Sequence, residues 1–157
     1  MITAVALLLA FQATPELQHH VEAALNAKRS GDLDTAIREF KRVAELAPGL
    51  AASHVNLGAV YYERKDYGNA IPPLRKALEL NPDLPGAHSM LGVALLALGY
   101  AAESIPHLEK AQADALLGVA LLESGREREA RRVPGLGWVR GLMRVWAPCC
   151  TWPMWKS

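Results

Sequence analysis

The sequence has little cysteine: two residues among 157, Cys149 and Cys150, adjacent to each other near the end of the chain. Adjacent cysteines form only a strained disulfide with each other, and two thiolates fall short of the four ligands of a structural zinc site. Neither a disulfide framework nor a cysteine metal site therefore holds this fold together. In an exported protein the pair could bridge two chains, whereas in the cytoplasm it would stay reduced.

The motifs of common catalytic sites are also missing. The chain has no Gly-x-Ser-x-Gly elbow, no phosphate-binding glycine loop, no His-Glu-x-x-His helix and no Cys-x-x-Cys pair. We therefore predict no catalytic residue, no metal site and no cofactor. If the protein serves an enzyme, the catalytic part is expected to belong to another polypeptide.

Apolar runs are too short for a transmembrane helix. Residues 1–11 contain about 10 apolar residues and no charge, whereas a spanning helix needs about 20. We interpret residues 1–13 as a signal peptide cleaved near Ala10 or Ala13, which would make the protein periplasmic or secreted. The alternative is an ordinary apolar helix start in a cytoplasmic protein, because the segment is short and has no Lys or Arg at its beginning.

Acidic residues are absent from the end of the chain. Overall, 17 Lys and Arg face 16 Asp and Glu, a net charge of +1 that gives no reason to predict nucleic-acid binding. The first 129 residues hold 12 basic and 16 acidic residues, whereas the rest hold 5 basic and no acidic ones. All four tryptophans also lie there, so residues 134–157 are predicted to be a separate Trp- and Arg-rich tail.

This tail has apolar residues at helical spacing with arginines on another side: Trp138, Val139, Leu142, Met143 and Trp146 against Arg140 and Arg144. Three interpretations stay open. The tail caps the open end of the preceding structure, or it lies on a membrane surface, or it is an unselected terminus from a shifted reading frame. If the tail lies on a membrane surface, the protein contacts the membrane through its termini.

What the sequence does contain is a 34-residue period. Its clearest copy, residues 51–84, carries a helix-pair signature: Leu57-Gly58, Tyr61, Ala70, Ala77 and Pro82, with His54 and Leu74 where Trp and Phe are usual. An upstream copy keeps Ala36, Phe40 and Pro48, and a downstream copy keeps Leu91-Gly92 and Ala111. This pattern closely resembles the tetratricopeptide repeat.

A fourth copy is shorter. Its Leu117-Gly118 follows Leu91-Gly92 by 26 residues, so eight are missing. The resemblance therefore implies an all-α solenoid of antiparallel helix pairs, with three full repeats and a truncated fourth, over residues 14–133. Within residues 102–124 either one long helix or two helices fit, and the Leu-Gly pattern favours two, with Asp114 capping the second.

Small residues have a mechanical role in this arrangement. Gly58, Gly92 and Gly118 are predicted to lie where paired helices approach, because a larger side chain would push the axes beyond about 8 to 10 Å. Pro72-Pro73 falls inside a predicted helix, but near enough to its start that most of the lost N–H donors would be unpaired anyway.

In this family, function lies on the concave surface formed by the first helix of each pair, where a peptide or partner helix binds. Carrying those positions over residue by residue gives the candidate groove residues: Val21, Leu25, Lys28, Arg29, Val55, Asn56, Ala59, Tyr62, Glu63, Ser89, Val93 and Leu96. The groove is mostly apolar, which suits a hydrophobic peptide or helix face. Some relatives clamp a terminal carboxylate with Lys, Asn and Arg, but only Asn56 occupies such a position here, so we reject that function.

Three histidines stand in 34-residue register: His20, His54 and His88. They occupy the position where the repeat usually packs an aromatic residue. Zinc holds imidazole nitrogens at about 2.0 to 2.1 Å, whereas successive repeats are displaced by about 8 to 10 Å, so the three cannot share one ion. His19 is predicted to point to another face and His107 to lie on a second helix, so we predict a structural role for these histidines and no metal site.

The sequence thus predicts a non-catalytic scaffold that binds a protein or peptide partner. Two alternatives from other classes stay open. One is an envelope assembly factor on a membrane surface, anchored through its apolar ends, and the other is a fragment of a longer multidomain protein.

Overall fold

The computed structural model describes residues 15–134, and every regular element in this part of the chain is an α-helix. The helices are α1 (Pro15–Ser30), α2 (Leu33–Leu46), α3 (Ala51–Glu63), α4 (Tyr67–Leu80), α5 (Pro85–Ala97), α6 (Ala101–Lys110), α7 (Asp114–Glu123) and α8 (Glu127–Ala130). The predicted signal peptide, residues 1–13, and all but the first residue of the predicted tail, residues 134–157, lie outside the described residues. No helix between residues 15 and 134 is long and apolar enough to cross a membrane.

Each helix packs against the one before it and the one after it, which is the sequential stacking of a solenoid. The predicted helix pairs are confirmed as α1–α2, α3–α4 and α5–α6, and α8 is the predicted truncated partner of α7. Two helices, not one, occupy the ambiguous stretch, because α6 ends at Lys110 and α7 begins at Asp114. The prediction that Asp114 caps α7 is wrong: the N-cap residue is Ala113, and no side chain caps this helix.

One turn geometry recurs at five helix junctions. Each has one residue with positive φ: Gly31 (80°), Lys65 (61°), Gly99 (83°), Gln112 (53°) and Gly125 (77°). The N–H of that residue donates to the carbonyl three residues earlier, and the next N–H donates to the carbonyl five residues earlier. This pattern satisfies carbonyls at the end of one helix and immediately starts the next.

Lys65→Gly is expected to raise the free energy of unfolding by about 1 kcal/mol, because an L side chain in the left-handed region costs about 1 to 2 kcal/mol that glycine avoids. Urea unfolding of the full chain, followed by helical circular dichroism, measures the change. Gly31→Ala provides the matched reverse substitution at the same turn position one repeat earlier, and it should destabilise. A loss of stability in Lys65→Gly would contradict this account of the turn.

The eight missing residues are lost from three places around the α6–α7 junction. Helix α6 is four residues shorter than α4, and the linker after α6 has three residues, whereas the linker after α4 has four. Measured from the Leu-Gly pair of each helix, α7 begins three residues later than α5. The linker closes with the tight turn that elsewhere joins the two helices of one pair, centred on Gln112. The deletion therefore turns a loose connection between repeats into a tight one and keeps Leu117 and Gly118 buried.

The buried side chains form two separate clusters. The larger joins α1 through α5 around Phe40, Leu74 and Leu91, and the smaller joins α6 through α8 around Leu108 and Leu121. Each pair buries one apolar stripe that it cannot cover alone, so stacking of neighbouring pairs supplies the core.

Close helix approach at two of the predicted glycines is confirmed. A Cβ atom added to Gly58 would lie 2.6 Å from Leu74 Cγ, and one added to Gly92 would lie 2.7 Å from Leu108 Cδ2. Both distances are far inside van der Waals contact, so each glycine provides the space that a leucine of the paired helix fills. Gly118 is buried on α7.

The prolines of α4 lie deeper in the helix than predicted. Because α4 begins at Tyr67, Pro72 and Pro73 are its sixth and seventh residues, beyond the four N–H groups that lack helical partners. Their missing hydrogen bonds would have gone to the carbonyls of Gly68 and Asn69. Both of these residues are exposed, so water can solvate the freed carbonyls.

Candidate binding groove

All twelve candidate groove residues lie on the first helices of the three full pairs, α1, α3 and α5. These helices are neighbours: Lys28 Nζ on α1 lies 2.7 Å from Glu63 Oε1 on α3, and α3 contacts α5 directly. Nine of the twelve side chains are half-buried, whereas Leu25, Arg29 and Glu63 are exposed. Such partial exposure fits a surface that is partly shaped by its neighbours and still open to a ligand.

Apolar side chains repeat along one position of these helices. Leu25, Ala59 and Val93 are spaced by 34 residues, and Val119 follows Val93 by the shortened spacing of 26. Leu25 is 42% exposed and Val119 43% exposed, values well above those of core residues. These four apolar side chains, exposed at Leu25 and Val119 and half-buried at Ala59 and Val93, share one repeat position on the first helices, and we call this set the apolar column.

The groove predicted from the sequence omits α7, the first helix of the fourth repeat. Val119, Leu116 and Leu122 on α7 continue the positions of Val93, Met90 and Leu96, and none was predicted. The signal that would have found them is the 26-residue offset already visible in Leu117-Gly118. Leu116 and Leu122 are half-buried against the smaller core cluster.

Polarity changes along the stack at two neighbouring positions. One position reads Glu22, Asn56, Met90 and Leu116 from α1 to α7, and the other reads Lys28, Tyr62, Leu96 and Leu122. The candidate surface therefore carries charge and amide groups at its α1 end and aliphatic groups at its α7 end. A partner that matches it must change polarity in the same direction.

Tyr62 contributes to packing as well as to the candidate surface. Its ring meets the ring of Tyr67 edge to face, with centroids 5.6 Å apart, and it packs against the larger core cluster. Burial, with a smaller contribution from Tyr67, raises the pKa of the Tyr62 hydroxyl. Its replacement by alanine would therefore change stability together with the surface, which makes Tyr62 a poor single probe of binding.

The two charged residues at the end of α1 have partners. Arg29 donates a hydrogen bond to the side-chain oxygen of Asn26, and Lys28 pairs with Glu63. Both pairs are substantially exposed, so each contributes at most about 1 kcal/mol to stability. Their larger effect is on polarity, because they border the α1 end of the apolar column.

Each of the three histidines in 34-residue register has a polar partner, and of the three only His88 is buried. His54 Nε2 donates to the carbonyl of Pro48 at 2.9 Å, and His88 Nε2 donates to the carbonyl of Pro82 at 3.0 Å. His20 Nδ1 instead lies 2.7 Å from Glu39 Oε2. No group of three metal-ligating side chains converges anywhere in residues 15–134.

These features define a class, the helical repeat proteins that present a stack of first helices as a surface. The family profile described as TPR repeat matches residues 58–99. Together with the helix-pair stack, this match identifies tetratricopeptide-type repeats in the chain. No curated protein sequence matches it.

Solved structures with the same fold include MamA proteins. MamA AMB-1 superposes with a TM-score of 0.69 at 24% identity, over 79% of this chain and 74% of that one. MamA from Desulfovibrio magneticus RS-1 gives 0.68 at 22% identity, over 75% and 73%. At these identities the likeness concerns the fold alone.

An enzyme is also among the similar structures. A mutant O-GlcNAc transferase of Thermobaculum terrenum has a TM-score of 0.59 and 30% identity over 70% of this chain. The match spans 23% of that enzyme, so this chain corresponds to less than a quarter of its length.

Proposed function

We propose that the protein is a non-catalytic scaffold that binds the apolar face of a partner peptide or helix along its first helices. The observation that carries this proposal is the apolar column, which runs through all four repeats and is open to water at both of its ends. Apolar surface of this kind gains free energy when a partner covers it.

The polarity of the neighbouring positions supports a directional partner. A ligand with a charged or polar end beside Lys28 and Glu22, and a purely apolar stretch beside Leu96 and Leu122, would match the surface along its length. Binding in the opposite direction would place apolar groups on charges, which costs desolvation energy.

The non-catalytic part of the proposal rests on the composition of the site. Six of the twelve candidate residues are aliphatic, and the set contains no His or Cys that could activate a hydroxyl group, which suits recognition better than proton transfer or nucleophilic attack. The other six are Lys28, Arg29, Asn56, Tyr62, Glu63 and Ser89. The resemblance to a transferase does not conflict with it, because the matched region is a minor part of that enzyme.

A peptide library tests the binding surface without knowledge of the natural partner. Random 15-residue peptides are selected on the full chain, and the affinity of the selected peptides is then measured for Leu25→Ser and Val119→Ser by fluorescence anisotropy. Each substitution is expected to weaken binding by about 10-fold or more, because an interface loses roughly 1.5 to 3 kcal/mol when a buried aliphatic side chain is removed.

Leu80→Ser is the matched control. Leu80 is 38% exposed, close to Leu25, but lies on the second helix of its pair. The Leu80→Ser variant should bind the selected peptides with unchanged affinity. Selected peptides that lose affinity for Leu80→Ser and keep it for Leu25→Ser and Val119→Ser would overturn the assignment of the binding face.

A further inference from the structure

Two of the three in-register histidines contact the residue 19 positions later on the paired helix. His20 contacts Glu39, and His88 contacts His107. The residue 19 positions after His54 is Pro73, which cannot titrate. The residue at this repeat position therefore differs in every repeat.

The contact between α5 and α6 is a histidine pair. His88 Nδ1 lies 2.9 Å from His107 Nδ1, and the ring centroids are 5.2 Å apart with an interplanar angle of 30°. His88 is 4% exposed and its Nε2–H donates to the carbonyl of Pro82. A neutral His88 bonded in this way has a lone pair on Nδ1, so His107 must donate its own Nδ1–H.

This pair can hold at most one extra proton with the hydrogen bond intact. The first proton would add to the free Nε2 of His107 and put a cation in a partly buried site. A second would place N–H groups on both Nδ1 atoms, which then repel each other. In the unfolded chain both imidazoles accept a proton freely near their usual pKa of about 6.5.

The charged groups around the pair add to the cost of protonation. Burial, followed by His88, lowers the pKa of His107, and Lys110 on α6 and Arg75 on α4 act in the same direction. Glu103 on α6 opposes them, but it is also paired with Arg75. The unfolded state therefore binds more protons than the folded state as the pH falls below the usual histidine pKa, so stability is lost there.

The contact between α1 and α2 has a carboxylate on the second helix. His20 Nδ1 donates to Glu39 Oε2, and neither side chain is strongly exposed. The hydrogen bond from His20 is the largest cause of the lowered pKa of Glu39, which keeps that carboxylate ionised in mild acid. Arg38 also lies beside Glu39, at 3.4 Å, and the ring of His19 lies beside His20, with centroids 5.7 Å apart. Because Glu39 stays ionised, mild acid leaves this hydrogen bond in place.

We propose that acidification from about pH 7.5 to about pH 5, the range in which histidine ionises, acts unequally on two helix pairs of the solenoid. It loosens the α5–α6 pair at His88–His107 and holds the α1–α2 pair at His20–Glu39. Because Ser89, Val93 and Leu96 lie on α5, the apolar end of the candidate surface is the part that acid remodels.

Hydrogen exchange of the full chain at about pH 7.5 and pH 5, corrected for intrinsic exchange rates, tests the proposal at each helix pair separately. Protection in α5 and α6 is expected to fall at the lower pH by about 10-fold, relative to α1 and α2. Equal changes in both pairs, or a larger loss in α1 and α2, would overturn it.

His107→Asn tests the cause, because the asparagine amide can donate in place of Nδ1–H but does not titrate. This variant should keep α5–α6 protection at both pH values, whereas His54→Gln, a histidine without a titratable partner at the same repeat position, should respond like the parent. A pH response that persists in His107→Asn would refute the mechanism. If that variant does not fold, nitrogen-15 imidazole spectra of the parent still decide: independent titration of His88 and His107 would also refute it.

Discussion

Gly58→Ala is expected to lower the free energy of unfolding by about 1 to 3 kcal/mol, and Gly58→Leu to unfold the repeat. The new Cβ would lie 2.6 Å from Leu74 Cγ and 2.8 Å from Leu74 Cδ2, and Leu74 is fully buried. Leu74 therefore has no space into which it can move without disturbing its own neighbours. This cost exceeds the gain of about 1 kcal/mol that alanine normally brings over glycine inside a helix. Urea unfolding of the full chain measures the difference.

Two further variants distinguish a clash from a general effect of alanine. Gly68 lies on α4 with no heavy atom within 4 Å of an added Cβ, so Gly68→Ala should leave stability unchanged or raise it. Combining Gly58→Ala with Leu74→Ala removes the clashing side chain, so the double variant should lose less than the two single losses added together. Strict additivity would show that Leu74 is not the cause.

The sequence specifies this part of the fold well because the repeat fixes it. Gly58 and Gly92 stand one period apart, and each meets the leucine that stands 16 positions later. Packing within a helix pair depends on residues close in sequence, so a periodic pattern predicts it. The positive-φ turn positions follow from the same register, including Lys65, which has no glycine to mark it.

Contacts that depend on a departure from the period were not predictable. His107 has no histidine counterpart in its register, since the other repeats carry Glu39 and Pro73 there, so the repeat pattern does not predict its contact with His88. The shortened α6–α7 junction was visible as a missing length, but its tight turn at Gln112 depends on backbone geometry.

The candidate surface was predicted for α1, α3 and α5 and missed for α7. Its residues came from family positions carried along a 34-residue spacing, which fails after residue 111. Val119 becomes comparable with Val93 only once the offset of 26 is applied. The predicted roles of these residues in binding stay a prediction, because exposure and polarity indicate a surface and a ligand is needed to define a site.

The second large loss of stability is expected from Leu108→Ala, because the core is divided into two clusters. Leu108 is fully buried in the smaller cluster and fills the space beside Gly92, which joins α6 to α5. The larger cluster, around Phe40 and Leu74, does not include it. In a solenoid each repeat contacts its neighbours only, so damage to one cluster need not spread through the whole stack.

Leu108→Ala is therefore expected to cost about 2 to 5 kcal/mol of local stability, the usual cost of a buried leucine-to-alanine change. Hydrogen exchange should show loss of protection in α6, α7 and α8, with protection in α1 through α4 retained. Leu98→Ala, which removes a leucine that is 43% exposed, should change stability by about 0.5 kcal/mol or less. A uniform loss of protection across all helices in Leu108→Ala would mean that the two clusters unfold as one unit and that the shortened junction couples them tightly.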